Sequence, residues 1–167
     1  MNKERNKIFA QMVNYFTEDE WRFSQIGNKS KLLVEYKNGQ GYEWKCIAEA
    51  EDGITIGRMI FYSIVPESIP IRRDNVNYVG EFLHRINSSY IKIGNFEIDY
   101  DTGRVYCKTS IKIDPDLFSS EVINDLIDDL VYENIGLMDR YLDGIKAVAE
   151  GKLDPEEAQI RGRVGYS

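Results

Sequence analysis

The chain reads as an α+β domain: one antiparallel sheet of about five strands, with helices packed on one side. Three observations predict this. Alternating segments are joined by short turns rich in Gly, Asn and Asp, the mark of hairpins and so of antiparallel pairing. The segment Ile54–Val65 is apolar on both faces, as a strand inside a sheet must be. The order of elements is helix, three strands, helix, two strands, long helix, which places helices beside a meander and not between parallel strands.

Residues 2–16 open with a helical period. Ile8, Met12 and Tyr15 share a face, flanked by Phe9, Val13 and Phe16, while Lys3, Glu4, Lys7 and Gln11 stay polar. Thr17-Glu18-Asp19-Glu20 has capping-box spacing, which predicts a second short helical turn carrying Trp21. Leu32, Val34 and Tyr36 then alternate with Leu33, Glu35 and Lys37. Asn38-Gly39-Gln40-Gly41 supplies a hairpin turn, and Tyr42, Trp44, Cys46 and Ala48 alternate with Glu43, Lys45, Ile47 and Glu49. A turn at Glu51-Asp52-Gly53 leads into Ile54–Val65, and Pro66 and Pro70 end the meander.

Asp74 is the expected cap of a helix over 75–88, with Val76, Val79, Leu83 and Ile86 as its buried stripe. Phe96, Ile98 and Tyr100 then mark a strand, Asp101-Thr102-Gly103 a turn, and Val105, Cys107, Thr109, Ile111 and Ile113 a second strand. After Asp114-Pro115 a long helix runs to about Glu150, with Ile123, Leu126, Leu130, Leu137, Tyr141, Ile145 and Val148 apolar and Gly151 as its C′ residue. At roughly 1.5 Å per residue it is expected to bend or overhang the domain, with Gly136 and Gly144 as weak points. Asp154-Pro155-Glu156-Glu157 starts one more short helix.

At 167 residues the chain is one domain on the usual prior of roughly 150 residues. It carries 28 Asp and Glu against 21 Lys and Arg, a net charge of −7, which repels phosphates and excludes nucleic acid as the main partner. One His, His84, and two Cys, Cys46 and Cys107, leave no zinc site and few nucleophile–base pairs, so neither cofactor nor metal is expected. The polar start Met1–Lys7 predicts no secretory signal, and the longest apolar stretch, Met59–Val65, is far short of a membrane span. A reduced, cytoplasmic protein follows.

Two segments carry a resemblance to a known family. One is Ile93-Gly94-Asn95-Phe96-Glu97-Ile98-Asp99-Tyr100, continued by Gly103-Arg104-Val105-Tyr106-Cys107-Lys108-Thr109-Ser110-Ile111. The other is Asn134-Ile135-Gly136-Leu137-Met138-Asp139-Arg140-Tyr141-Leu142-Asp143-Gly144-Ile145. Both are similar to the YbjN-domain family of bacteria, including cyanobacteria, over about Phe9 to Ala158. The family is in turn similar to the type III secretion chaperone-like fold. The resemblance implies a domain over 1–158, and the residues after it, 159–167, are expected to form a flexible tail. It also implies a strand order 1-2-3-5-4, counting five strands along the chain, with Ile54–Val65 in the middle. It brings no catalytic residue. It implies regulation or chaperone-like binding of a protein or peptide partner and, because secretion chaperones of this shape are commonly dimers, a homodimer. A small-ligand sensor that modulates a partner is the alternative.

Other motifs have simpler readings. Asp101-Thr102-Gly103 spells the aspartic-protease tripeptide, but Arg104 follows it, and a hairpin turn explains Asp and Gly. Asp99, Asp101 and Gly103 hint at a calcium loop, but Thr109 stands where a bidentate Glu is needed. Asp125, Asp128, Asp129 and Glu133 form an acidic helix face, which solvent accounts for. His84 reads as a surface or packing residue, Cys46 and Cys107 as small buried hydrophobes, and Trp21 and Trp44 as core or lid.

The outer sheet face is the candidate binding site. Leu33, Ile47, Ile60, Tyr62 and Tyr106 alternate with the inward set of Trp44, Cys46, Phe96, Ile98, Val105 and Cys107. Lys45, Arg58, Lys108 and Glu35 surround them. Arg58 shares a face with Ile60 and Tyr62, and burying it unpaired would be costly, so that face is expected to be open.

Overall fold

The computed structural model describes residues 7–51 and 56–164. Helix α1 (Lys7–Glu18) leads into strands β1 (Arg22–Gln25), β2 (Lys31–Lys37), β3 (Glu43–Glu51) and β4 (Gly57–Ile64). Helix α2 (Val76–Ser89), strands β5 (Asn95–Ile98) and β6 (Val105–Ile113), and helices α3 (Ser120–Ala149) and α4 (Pro155–Val164) complete it. The sheet is antiparallel throughout, in the order β1-β2-β3-β4-β6-β5. Without β1 this is the expected order, and β4, the doubly apolar segment, lies inside the sheet between β3 and β6. Residues 2–6 of the first expected helix, the turn at 52–53 and the first two residues of the expected strand 54–65 fall outside the described residues.

The sixth strand is a correction. In place of a second helical turn, Glu20 takes a left-handed φ of 56° and the Trp21 N–H bonds the Phe16 carbonyl at 3.0 Å. The chain reverses there and pairs Arg22–Gln25 with Leu32–Glu35. Four residues with one apolar side chain, Phe23, are too short to show a period of two. Trp21 stacks on Tyr36 at 5.7 Å between ring centroids and meets Phe16 edge-on at the same distance.

The inward set is buried as the alternation requires: Trp44, Cys46, Phe96, Val105 and Cys107 lie in the core, and Ile98 is half-buried. Tyr100 is no strand residue; it sits exposed in the β5–β6 turn with its ring end against Gly80 of α2. Helices α1 and α3 cover β3, β4 and β6, while α2 packs on β5 and α3, and α4 packs on α2 and α3. Asp74 does not cap α2. The cap residue is Asn75, whose amide instead donates to the Ala149 carbonyl at 2.8 Å and ties the start of α2 to the end of α3. Ser119 caps α3, and Asp154 and Glu157 form a reciprocal box at the start of α4. Helix α4 continues to Val164, through the first part of the expected tail.

Helix α3 is continuous and does not overhang. Its buried residues recur from Ile123 to Ala149, so nearly its whole length lies on the sheet and the other helices. Asn134, fully buried at its middle, points into the sheet. Its Nδ2 donates to the carbonyls of Phe61 in β4 (2.9 Å) and Cys107 in β6 (3.0 Å), and to Thr109 Oγ1 (3.2 Å). Thr109 passes its own proton back to the Leu130 carbonyl at 3.1 Å. This network is a polar peg in an apolar interface, and it fixes where along its axis α3 rests.

Replacing the peg should be costly. Asn134→Ala is expected to lower unfolding free energy by roughly 2–3 kcal/mol in chemical denaturation, from a small cavity plus lost buried hydrogen bonds. The two glycines of α3 should respond in opposite directions. A Cβ on exposed Gly136 meets nothing within 4 Å, so Gly136→Ala should stabilise by about 0.5–1 kcal/mol through helix propensity. A Cβ on Gly144 would come within 2.8 Å of the Phe82 ring, so Gly144→Ala should destabilise in the same assay.

Candidate functional site

The outer face is built as the alternation predicts, but one of its five apolar residues, Ile60, is covered. Leu33, Ile47 and Tyr62 are register neighbours on β2, β3 and β4, and Ile60 and Tyr106 lie on the same face, opposite Glu49 and Glu97. Long charged side chains lie across them. Lys31 pairs with Glu49 at 2.7 Å, Arg58 with Glu51 at 3.7 Å and Lys108 with Glu97 at 3.5 Å, and Lys108 Nζ lies 5.8 Å from the Tyr62 ring centroid. Ile60 is therefore only 5% exposed, and the other four are half-buried. The expectation of an open face is corrected at Ile60 alone. Aliphatic stems of Lys, Arg and Glu cover short apolar neighbours while their heads stay in water. Arg58 does lie on the solvent side, with Glu51 as its partner.

The open feature is a groove of about 1220 Å³ at one end of the sheet. It exists because two ladders end at different places. β3 stays paired with β2 as far as Lys37↔Glu43, but its pairing with β4 stops at Cys46↔Ser63. β4 leaves with β6, held by the Val65 N–H on the Val105 carbonyl at 3.0 Å. Pro66, with no N–H to donate, then turns the chain away, and the Ile69 N–H closes back on the Pro66 carbonyl at 2.9 Å. The sheet thus splits between β3 and β4, and the groove fills the wedge.

One wall comprises Tyr42, Glu43, Trp44 and Lys45 of the β2–β3 hairpin, the other the segment Ile64–Ile71, with Gly103–Val105 beside it. The hairpin wall is anchored. Asn38 is nearly buried, its Oδ1 accepts from the N–H groups of Gln40 (3.1 Å) and Tyr42 (2.8 Å), and its Nδ2 donates to Asp139 of α3 at 2.7 Å. The positive φ of this turn, 89°, falls on Gly41 and not on Asn38 or Gly39, so the loop is longer than a two-residue hairpin. Tyr42 OH donates to Asp143 at 3.2 Å and lies 3.4 Å from Lys146 Nζ, which holds the Lys146 ammonium above its ordinary range. Trp44 packs 4.8 Å from Tyr36 and donates its indole N–H to buried Ser63 at 3.1 Å. Burial, and then the Asp139 charge, push the Tyr36 phenol up.

The groove is bordered by Arg22, Lys37, Lys45 and Arg104, and by Glu35, Glu43 and Glu67. Lys37 and Glu43 neutralise each other at 2.9 Å, and the Lys37 ammonium holds the Glu43 carboxyl below its usual range. Among the described residues the other five make no ion pair within 4.0 Å.

The remaining candidates lie elsewhere. Asp101 sits exposed in the β5–β6 turn, where Gly103 takes a φ of 71°. The Asp99 carboxylate there accepts from the N–H groups of Asp101 and Thr102, at 2.9 and 3.2 Å, and the Thr102 hydroxyl with these N–H groups holds it low. Among the described residues no group of three His, Cys, Asp or Glu side chains could hold a metal ion. Of the acidic helix face, Asp128 accepts the Tyr15 hydroxyl proton at 2.9 Å, and burial together with that carboxylate pushes the Tyr15 phenol up. His84 is exposed. Cys46 and Cys107 are free and buried, and burial pushes the Cys46 thiol up to about 12 and the Cys107 thiol higher still, which suppresses the reactive thiolate.

Sequence reasoning missed the groove. Pro66 and Pro70 were visible as breakers, but nothing local says that β3 starts three residues before β4 can pair with it. No protein-family model matches the chain, and no curated protein matches it. Among the described residues no helix is long and apolar enough to cross a membrane.

The burial of Ile60 sets an expectation for the outer face. Ile60→Asp should destabilise by roughly 2–3 kcal/mol, since it places a charge at a buried apolar site, whereas half-buried Tyr106→Asp should cost clearly less. Thermal melts of the two variants check this. Equal, negligible costs would show that the face is open.

Proposed function

We propose that this protein is a non-catalytic protein- or peptide-binding module with a chaperone-like or regulatory role, of the kind the YbjN resemblance implies. The observation that carries this reading is the split end of the sheet. There an open groove of about 1220 Å³ exceeds the roughly 300–1,000 Å³ of a typical small-molecule pocket. It is a channel between two chain segments, with aromatic and apolar surface on its walls and charges at its rim. Such a shape accommodates a length of polypeptide better than it encloses a compact ligand. The two cysteines, buried and held as thiols, are unsuited to nucleophilic work, which agrees with a binding role.

The reading is tested by presenting the purified protein to an array of eight-residue peptides of varied composition and mapping hits by amide chemical shifts. A subset should bind, with shifts clustered in Tyr42–Lys45 and Pro66–Ile71. If no peptide binds while a pool of metabolite-sized compounds shifts the same residues, the protein is a small-ligand sensor instead.

A further inference from the structure

Strand edges are where a sheet can accept another chain, and this sheet treats its edges differently. At β5 the outward backbone of Phe96 is already taken. Its N–H donates to Asn87 Oδ1 and its carbonyl accepts from Asn87 Nδ2, both at 2.8 Å, so α2 occupies that edge at Phe96. The split between β3 and β4 is not sealed. In an antiparallel ladder, successive residues direct their N–H and C=O groups to opposite neighbours. The Asn38 N–H bonds the Tyr42 carbonyl and the Ala50 N–H bonds the Ser30 carbonyl, so the even-numbered residues of β3 face β2. Glu43 and Lys45 therefore face β4, which has already departed at Cys46↔Ser63. Among the described residues no side chain takes the backbone of Glu43 as Asn87 takes that of Phe96. The segment across the groove cannot do so either, since Pro66 has no N–H and its carbonyl is used by Ile69.

The charge at this place runs against the rest of the chain. The protein has 28 acids and 21 bases, yet the groove holds four cations against three carboxylates. Lys37 pairs with Glu43, whose carboxyl also feels Arg22, and Glu35 stands opposite both Arg22 and Lys45 in the ladder. Arg22, Lys45 and Arg104, none within 4.0 Å of a carboxylate among the described residues, thus leave the groove with an excess of one cation. On a protein of net charge −7, a groove with an excess of cations is a place where an acidic segment meets short-range attraction.

We infer that the groove takes an extended, acidic peptide segment of a partner protein as an added strand on β3. This inference rests on the peptide-binding reading above and specifies its chemistry. The segment's backbone pairs with Glu43 and with the Lys45 N–H, and its carboxylates meet Arg22, Lys45 and Arg104. Main-chain pairing supplies the register and the basic rim supplies the selectivity.

The test titrates the ¹⁵N-labelled full-length protein with three acetylated, amidated octapeptides. One alternates glutamate with valine, one alternates lysine with valine, and the third is the glutamate peptide methylated on the backbone nitrogens of the edge that would pair. The glutamate peptide should shift the amides of Glu43 and Lys45. The lysine peptide and the methylated peptide should each bind about tenfold more weakly, and a Lys45→Glu, Arg104→Glu double variant should lose about as much without a change in melting temperature. Equal binding of the methylated peptide, or shifts confined to Phe23 and Gln25 on the β1 edge, would overturn strand addition at this site. Equal or tighter binding of the lysine peptide would overturn the acidic preference while leaving the peptide-binding reading intact. Failure of these peptides and of every array peptide would remove both.

Discussion

One side-chain amide sets the geometry on which the rest depends. Asn134 Nδ2 donates at once to a carbonyl of β4 and a carbonyl of β6, so it reaches both at only one axial position of α3 over the centre of the sheet. A purely apolar interface would tolerate sliding by a fraction of a turn, because dispersion and hydrophobic burial are non-directional. A hydrogen-bonding group with no access to water would not. With α3 fixed, residues further along it become anchors. Asp139 takes Asn38, Asp143 takes Tyr42, and Ala149 takes Asn75. The β2–β3 hairpin is thus held from α3, and the wall of the groove stands where Asn134 places it.

The groove is the difference between two competing pairings. Up to Cys46 and Ser63, β3 and β4 gain a shared ladder. Beyond that point the hairpin is tied to α3 while β4 follows β6 to Val105, and Pro66 removes the donor that would have prolonged the β3–β4 ladder. The cost is exposed backbone on β3, a site that water satisfies and that another chain can satisfy equally well. At Phe96 on the β5 edge, Asn87 closes such groups.

On the outer face, apolar rows and ion pairs occupy the same surface. Leu33, Ile47 and Tyr62 contribute the cross-strand contacts of a well-paired sheet. The charged side chains around them keep the face wet at its heads and dry at its stems. A sequence with apolar residues on both faces of its central strand can therefore keep part of its outer face covered, as at Ile60.

The elements legible in the sequence were those set by local chemistry. The alternation in β2, β3 and β6, the hairpin turns, the buried stripe of α2 and the interior place of β4 all follow from side chains two to four residues apart, which a single strand or helix forces to share a face. What escaped depended on residues far apart in the chain. β1 carries one apolar residue and exists because Glu20 turns it alongside β2. Asp74 lost the cap of α2 to Asn75 because Ala149 offered the latter a partner. The burial of Ile60 depends on stems reaching over from neighbouring strands. The groove depends on where two ladders end relative to each other, a relation among Pro66, Asn38 and α3 that no local pattern encodes. The sequence alone determined which faces are apolar and where the Asn-Gly and Asp-Thr-Gly hairpins turn, because those are properties of neighbours. Only the tertiary structure decided which apolar residues stay covered and which backbone stays open, because both depend on what arrives from elsewhere to compete for them.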